Sequence, residues 1–263
     1  MTASAIAILQ TGRLGDLWFT VPLADHLASR GHTVEVWYDG NYGDPFTFFP
    51  SVTPKPVRLR GVLPGAGRIA TVANSAAAQL VLYAQLKRLG RTVIWNQIYP
   101  FRVGAYLENR PYPFYWYRHF PEVAFRRART TLTLANDRTI LYFAASASLR
   151  IDDGGAYRSW LESNLHELET HTGYRVIYVP PPGGPEHPRY ETWRGDLAAY
   201  QQLIARCGIV FGISTSAHVL GQLLGKTVIP CYVSRSRLVD TIGEESVRLF
   251  PGDTLGPEAL SRL

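Results

Sequence analysis

Short apolar runs alternate with amphipathic segments along the first part of the chain. Residues 5–9 form an apolar, β-tolerant run, and apolar positions then recur at helical spacing from 17 to 28. Gly31 follows as a helix stop, and residues 33–38 alternate in the manner of a strand. This order predicts a β-loop-α-β unit at the start of the chain.

The alternation continues to residue 98. Further strands are predicted at 56–60 and 92–98, together with a helix at 71–89 that Gly90 ends. The stretch 41–56 is rich in Gly, Pro and Phe and is predicted to be a long loop. Strands that alternate with helices indicate a parallel sheet covered on both faces.

The same pattern restarts in the second half, where Gly173 is expected to end one helix and Asp196 to cap another. The predicted elements are a strand at 139–144, a helix at 155–172, a strand at 175–179, a loop at 180–195, a helix at 196–206, a strand at 208–212, a short helix opening at 214–216 and a strand at 227–233. The prediction is an α/β protein of two Rossmann-like domains, 1–133 and 134–263, whose parallel sheets face a central cleft.

One segment between the two halves breaks the pattern. Residues 110–136 have two prolines near their start, contain a cluster of aromatic side chains that includes Trp116, and continue with Arg126, Arg127 and Arg129. Basic side chains next to aromatic ones are typical of surfaces that contact nucleic acids or glycans. The segment is thus predicted to be an interdomain connection with such a contact surface. The alternative is that its aromatic side chains pack the two domains together and its arginines are only solvated.

Composition narrows the class of protein. The chain has 263 residues, 46% of them hydrophobic, which is ample for a folded core. Its net charge of +6 is carried mainly by arginine, which binds phosphates in a bidentate manner. An anionic partner follows as a hypothesis: nucleotide phosphates, a phosphorylated glycan or nucleic acid. The alternative is a mildly basic protein without such a partner.

Membrane, secretory and metal classes are not indicated. No stretch approaches the roughly 20 apolar residues of a membrane span, and the N-terminus lacks the basic region of a signal peptide. Cys207 and Cys231 lie in apolar segments without metal-ligand spacing. A cytoplasmic protein with buried thiols is expected, and neither a metal nor another cofactor.

The first candidate for chemistry is the loop Thr11-Gly-Arg-Leu-Gly-Asp16, between the first strand and the first helix. Asp16 is its only group suited to acid–base work, and Arg13 and Gly15 beside it are candidates for contacts with an acceptor. A loop at this position offers backbone N–H groups to anions at the carboxyl edge of a sheet. The alternative is that Asp16 only caps the helix.

The second candidate is the strand end followed by Ser214, Thr215, Ser216, Ala217 and His218. Hydroxyl groups and free amides at a helix N-terminus bind phosphate without a lysine, although a Ser or Thr there also serves as an ordinary cap. His218 is expected either to donate to a phosphate or to be a structural histidine.

Three further residues are expected at the same sheet edge. Ser146, Ser148 and Arg150 follow the first strand of the second half, and the carboxyl ends of parallel strands share one edge. Arg150 is then a candidate clamp for a pyrophosphate. Together with residues 214–218, these side chains predict a donor site in the C-terminal half.

The stretch Leu14-Gly-Asp-Leu-Trp-Phe-Thr-Val-Pro22 resembles the N-terminal signature of glycosyltransferase family 9, the heptosyltransferase family. Residues 196–232 are similar to that family's second signature. The resemblance implies the GT-B fold, with the donor nucleotide on the C-terminal domain and the acceptor on the N-terminal one. It places Asp16 on the family's catalytic base, Thr215 on the hydroxyl residue of the donor-phosphate loop, and Arg150 loosely on a basic phosphate ligand.

The sequence departs from the family pattern in the second signature. Ser214 stands where the family usually has Asp, and Ser216 where it has Gly. The family's His usually lies one position after His218, at Val219. These departures bear on the sugar of the donor more than on the fold.

The leading hypothesis is an inverting hexosyl- or heptosyltransferase that uses a nucleotide sugar, with an anionic, lipopolysaccharide-type glycan as acceptor. One alternative is a DNA glycosyltransferase acting on hydroxymethylated pyrimidines, as in bacteriophage DNA modification. Others are a pyruvyl transferase-like enzyme and a non-catalytic module that binds a nucleotide sugar or nucleic acid. The fold alone does not choose the acceptor.

Overall fold

The computed structural model describes residues 5–10, 14–57, 68–95, 120, 123, 128–145, 155–232 and 247–263. The chain divides into two compact units, Met1–Thr131 (unit 1) and Leu132–Leu263 (unit 2). Some of the predicted site residues lie outside the described residues, namely Arg13, Trp116, Arg126, Arg127, Ser146, Ser148 and Arg150.

Unit 1 is built on a parallel sheet of four strands in the order β3-β2-β1-β4. Its elements are β1 (Ala5–Leu9), α1 (Leu14–Trp18), α2 (Val21–Ser29), β2 (Thr33–Asp39), β3 (Thr53–Val57), α3 (Arg68–Arg88) and β4 (Thr92–Trp95). Ala7 and Leu9 of β1 pack against Leu82 and Leu86 of α3. Because side chains alternate along a strand, the opposite face of β1 is the one that α1 and α2 cover.

The single helix predicted after β1 is two helices in the structure. α1 ends at Trp18 and α2 begins at Val21. Pro22 lacks an N–H, and its ring collides with the carbonyl four residues earlier, so the helix cannot run through this point. Thr20 stabilises the break, since its hydroxyl donates to the Leu17 carbonyl at 2.6 Å.

The third strand lies earlier than predicted. It spans Thr53–Val57 and contains Pro54 and Pro56, so it begins within the segment expected to be a loop and overlaps the predicted strand only at residues 56 and 57. A proline cannot donate to a sheet ladder and is therefore confined to edge strands, and β3 is the edge strand of this sheet. The remainder of the prediction, 58–60, lies outside the described residues.

Unit 2 is built on a parallel sheet of five strands in the order β7-β6-β5-β8-β9. Its elements are β5 (Asp137–Phe143), α4 (Ala156–Thr172), β6 (Arg175–Tyr178), β7 (Glu191–Thr192), α5 (Leu197–Arg206), β8 (Cys207–Ile213), α6 (Ser216–Leu223), β9 (Thr227–Cys231) and α7 (Pro257–Leu260). The short strand β7 was not predicted, because it is two residues long and lies within a loop rich in Pro and Gly.

Helices cover both faces of the second sheet. Leu161 and Leu165 of α4 are fully buried on the face that carries Tyr142 and Phe211. α6 packs on the other face, where a Cβ at Gly221 would lie 3.1 Å from the Val210 side chain. The missing side chain therefore lets the α6 backbone approach the sheet closely.

Helix ends in unit 2 follow the predicted chemistry. The Asp196 carboxylate accepts the Ala199 N–H at 2.8 Å and so caps α5, and Gly173 ends α4 with φ +62°. Cys207 and Cys231, both free thiols, are buried at the start of β8 and the end of β9. None of the helices in the described part of the chain is both long enough and apolar enough to cross a membrane.

Candidate active site

The sheet of unit 2 reverses its strand order between β5 and β8. In open α/β sheets, ligands bind at the carboxyl ends of the strands at such a reversal. Gly212, near the end of β8, pairs with Phe143 of β5 and has φ +122°. A Cβ at this position would collide with the Phe143 carbonyl oxygen. Only glycine therefore fits at this position, just where the predicted donor residues begin.

The turn after β8 is held by a network of hydrogen bonds. The Ser214 N–H donates to the Cys231 carbonyl at 3.3 Å, which ties the turn to β9. The Thr215 N–H donates to Nδ1 of His218 at 3.1 Å, and the Ala217 N–H donates to the Thr215 hydroxyl at 3.3 Å. Thr215 therefore caps α6, and most amides of this turn have partners inside the protein.

The Ser216 amide differs from its neighbours. Within the described part of the chain it has no hydrogen-bond partner, although it is the first N–H of α6. The turn therefore offers a ligand fewer amides than the several expected from the sequence. The Ser216 hydroxyl forms a hydrogen bond with the phenol of Tyr200 in α5. Burial raises the pKa of this phenol, and the hydrogen bond partly opposes the rise.

His218 is buried completely and lies in the first turn of α6. Burial lowers the pKa of its imidazole to about 3, and the Ile229 carbonyl opposes this shift only in part. Because Nδ1 accepts the Thr215 N–H, the proton of the neutral ring is on Nε2. The imidazole is 6.0 Å from the Phe143 ring between centroids. This geometry agrees with the second of the two expectations for His218, that of a structural histidine. The imidazole is part of the cap of α6.

The buried His218 predicts a pH-dependent stability. In the unfolded chain the His218 imidazole is protonated below its ordinary pKa of 6.5, whereas in the folded protein its pKa is about 3. The contribution of His218 to the free energy of unfolding is therefore fully present above pH 6.5 and decreases as the pH falls toward 3, by at most about 1.4 kcal/mol per pH unit. Gln also accepts an N–H at this position of a helix, so His218→Gln is expected to fold and to lose this part of the pH dependence. The unfolding free energies of the parent protein and of His218→Gln are measured by urea titration at pH 6 and pH 4. An equal change between the two pH values in both proteins would contradict the assignment.

Unit 1 presents its own reversal of strand order beside β1. Gly15 and Asp16, both half-buried, lie in α1 just beyond the carboxyl end of this strand. The helix is anchored by fully buried Trp18, whose indole N–H donates to the Pro45 carbonyl at 2.9 Å. A short helix held at this edge gives the Asp16 carboxylate a defined location.

Gln10 is a residue that the sequence analysis missed. It directly follows β1, is 1% exposed, and neither atom of its carboxamide has a hydrogen-bond partner among the described residues. Its backbone N–H donates to the Trp37 carbonyl at 2.9 Å. An unpaired buried amide is unfavourable and calls for an explanation. A glutamine directly after an apolar strand was the available signal.

Of the predicted acceptor residues, the structure describes Gly15 and Arg129. Gly15 lies in α1 beside Asp16, whereas Arg129 is exposed and its backbone N–H donates to the Asp25 carboxylate of α2 at 2.9 Å. The Thr131 N–H next to it donates to the Phe48 carbonyl at 2.9 Å. The segment around Arg129 is thus attached to unit 1 through its backbone, and its guanidinium remains accessible.

A metal site is not formed by the described residues. Among them, no group of three or more His, Cys, Asp or Glu side chains is arranged to hold a metal ion.

Two solved heptosyltransferase structures share this architecture. E. coli heptosyltransferase WaaC with ADP is 16% identical in sequence, with 98% of this chain and 97% of WaaC aligned and a TM-score of 0.57. WaaC with ADP-2-deoxy-2-fluoro heptose gives 15% identity, 98% coverage of both chains and a TM-score of 0.54.

A glycosyltransferase family 9 protein from Veillonella parvula is similar as well, with 12% identity, 99% of this chain and 93% of that chain aligned, and a TM-score of 0.56. No protein-family model and no curated protein sequence matches this chain. Likeness at such low identity establishes the fold. The α/β architecture of two Rossmann-like units with parallel sheets, implied by the resemblance to family 9, is thereby confirmed as heptosyltransferase-like and of the GT-B type.

Proposed function

We propose that the protein is an inverting glycosyltransferase that takes its sugar from a nucleotide-sugar donor. The fold shared with the heptosyltransferases supports this class of enzyme. The observation that carries the proposal is the chemistry at the two sheet edges. One edge has a carboxylate on a short anchored helix, and the other has hydroxyl groups with an unpaired amide at a helix N-terminus.

The donor is proposed to bind unit 2 through its diphosphate. An anion is stabilised at a helix N-terminus by free N–H groups and the helix dipole. The Ser216 amide and the hydroxyl groups of Ser214 and Thr215 supply such contacts, with Arg150 as a further cation from the sequence. His218 acts indirectly, because it keeps the Thr215 amide inside the protein and so sets the conformation of the turn.

The acceptor is proposed to bind unit 1, with Asp16 as general base. In the reaction, the acceptor hydroxyl gives its proton to the Asp16 carboxylate while its oxygen forms a bond to the anomeric carbon of the sugar. The bond from that carbon to the diphosphate oxygen breaks, and the nucleoside diphosphate leaves with the electron pair. Attack opposite to the leaving group inverts the anomeric configuration. The contacts at unit 2 stabilise the charge on the leaving group.

An anionic glycan is the proposed acceptor, since unit 1 carries an excess of basic residues. The DNA alternative depends on Arg126 and Arg127, which lie outside the described residues. Hydroxymethylated DNA therefore serves as a comparison acceptor in the activity assay.

The proposal is tested first by binding and then by transfer. A panel of nucleoside diphosphates and nucleotide sugars is screened by thermal shift, because a ligand at 100 times its Kd adds about 2.7 kcal/mol to stability. The best donor is then incubated with glycan acceptors and with hydroxymethylated DNA, and the anomeric configuration of the product is read by NMR. Absence of binding to every member of the panel would contradict a nucleotide-sugar enzyme.

The Ser216 amide gives a sharp prediction for the donor. Ser216→Pro removes this N–H, and proline is favoured at the first position of a helix. Thr215 has φ −135° and ψ −178°, the extended conformation that a residue before proline requires. A hydrogen bond to a charged group contributes about 1.5–3 kcal/mol, so the donor Kd is expected to rise roughly 10- to 100-fold.

Ser216→Ala is the matched control for this prediction, because it loses the same hydroxyl and keeps the amide. Calorimetric titration of the nucleoside diphosphate compares both variants with the parent protein. Equal donor affinity in Ser216→Pro and Ser216→Ala would show that the amide does not contact the diphosphate.

A further inference from the structure

The positive charge of the chain is concentrated in unit 1. Met1–Thr131 contains 15 Lys and Arg against 7 Asp and Glu, whereas Leu132–Leu263 contains 12 against 14. No acidic residue occurs between Asp44 and Glu108, a stretch that holds eight Lys and Arg. The helix α3 lies within this stretch. An anionic partner is therefore attracted to unit 1 and to the neighbourhood of α3.

The outer side of α3 exposes aliphatic side chains. Leu80 is 61% exposed and Val81 is 56% exposed, while Leu82 and Leu86 on the inner side are buried. Leu89, directly after the helix, is 71% exposed. Large aliphatic residues of a core-packed helix usually face inward. Leu80 and Val81, adjacent on the exposed side of α3, indicate a surface that another apolar phase covers.

Basic side chains share this side of the helix. Lys87 and Arg88 follow Leu80 by seven and eight residues, a spacing that returns to the same side of an α-helix. Ala84 lies on this side as well, four residues after Leu80. Within the described part of the chain neither cation is paired with a carboxylate; Lys87 Nζ lies 5.9 Å from the centroid of the Tyr83 ring. We call the set formed by Leu80, Val81, Ala84, Lys87 and Arg88 the α3 surface.

We propose that the α3 surface docks unit 1 onto an anionic lipid bilayer. Aliphatic groups gain free energy by entering the acyl region, while lysine and arginine remain at the level of the headgroups. Nucleic acid is a weaker match, because it recruits aromatic and basic side chains and gives leucine and valine no apolar phase to enter. The α3 surface is small, so the binding is reversible and depends on the fraction of anionic lipid.

Flotation with lipid vesicles tests this inference without any sugar donor or acceptor, and therefore independently of the proposed transferase activity. The protein is expected to float with phosphatidylcholine vesicles that contain phosphatidylglycerol, and not with phosphatidylcholine alone. Binding is expected to weaken as salt rises, because the headgroup attraction is screened. No binding to the anionic vesicles at low salt would overturn the inference.

Two double variants separate the two contributions. Leu80→Ser with Val81→Ser removes exposed aliphatic groups, and Lys87→Glu with Arg88→Glu reverses two charges, each at positions outside the core. A basic residue near an anionic surface contributes about fivefold to binding, so the reversal is expected to lower the partition coefficient at least about tenfold. The serine pair is expected to lower it by a similar factor. Loss of binding in the charge reversal alone would overturn insertion of the helix.

A matched control lies in unit 2. Arg262→Glu with Leu263→Ser also changes an exposed arginine and a partly exposed leucine, and is expected to leave vesicle binding unchanged. Thermal melting of all variants checks that they remain folded. An equal loss of vesicle binding in this control would overturn the assignment to α3. Binding of duplex DNA in place of vesicles would do the same.

Discussion

Asp16→Asn is expected to remove sugar transfer while leaving the protein folded. The amide has nearly the same size as the carboxylate, but it cannot accept the proton of the acceptor hydroxyl. General-base catalysis contributes about 10²- to 10⁴-fold, and kcat is expected to fall by this factor. The donor Kd is expected to stay unchanged, because the donor contacts are assigned to unit 2. Steady-state kinetics with the donor identified by thermal shift measures the effect.

Asp25→Asn is the matched control in the same unit. This side chain accepts the Arg129 N–H at 2.9 Å, and the asparagine oxygen can still accept that hydrogen bond. Turnover close to that of the parent protein is expected. If Asp16→Asn and Asp25→Asn behaved alike, Asp16 would not be the general base and the base would lie elsewhere.

Gly212→Ala is expected to give the largest loss of stability. Its φ of +122° is unfavourable for any residue with a Cβ, and that Cβ would collide with the Phe143 carbonyl oxygen on β5. Neither strand can move away, because both lie inside the sheet with a paired strand on each side. Backbone strain and overpacking together cost at least about 3 kcal/mol, a decrease of about 10 °C in the Tm of unit 2.

Gly183→Ala separates strain from collision. Gly183 also has a positive φ, +73°, but nothing lies within 4 Å of a Cβ built there. This variant is expected to lose only about 1 kcal/mol. Urea unfolding of both variants gives the comparison, and a similar loss in the two would contradict a collision with the Phe143 carbonyl oxygen.

The strands and helices were predictable from the sequence where the hydrophobic pattern of an element is amphipathic, or apolar, along its whole length. The helix over residues 156–172 and its end at Gly173 follow from periodicity and from a left-handed glycine. The hydrophobic pattern did not predict the break between α1 and α2 before Val21. It also did not predict the strand that contains Pro54 and Pro56. Both depend on where a proline lies relative to its neighbours in space, at a helix junction in one case and at a sheet edge in the other.

The candidate site was predictable in its location and less so in its detail. A strand followed by hydroxyl residues and a helix correctly located the turn at Ser214–Ser216. The pattern could not tell that His218 accepts the Thr215 N–H, because that depends on how deeply α6 packs against Phe143. The position of Gln10 after a strand was visible in the sequence, but its burial without a hydrogen-bond partner among the described residues was not, since polar residues after a strand are usually solvated.

The two cysteines have a practical consequence. Burial raises the pKa of the Cys207 thiol to about 12 and raises the pKa of Cys231 as well. Thiolates are the reactive species, so a thiol reagent reaches these residues only when unit 2 opens. The rate of thiol labelling then reports the rate at which unit 2 opens and not the opening of unit 1, since the sequence has no cysteine in unit 1. A single cysteine placed on the exposed surface of unit 1 would accept a fluorophore without removal of the native thiols.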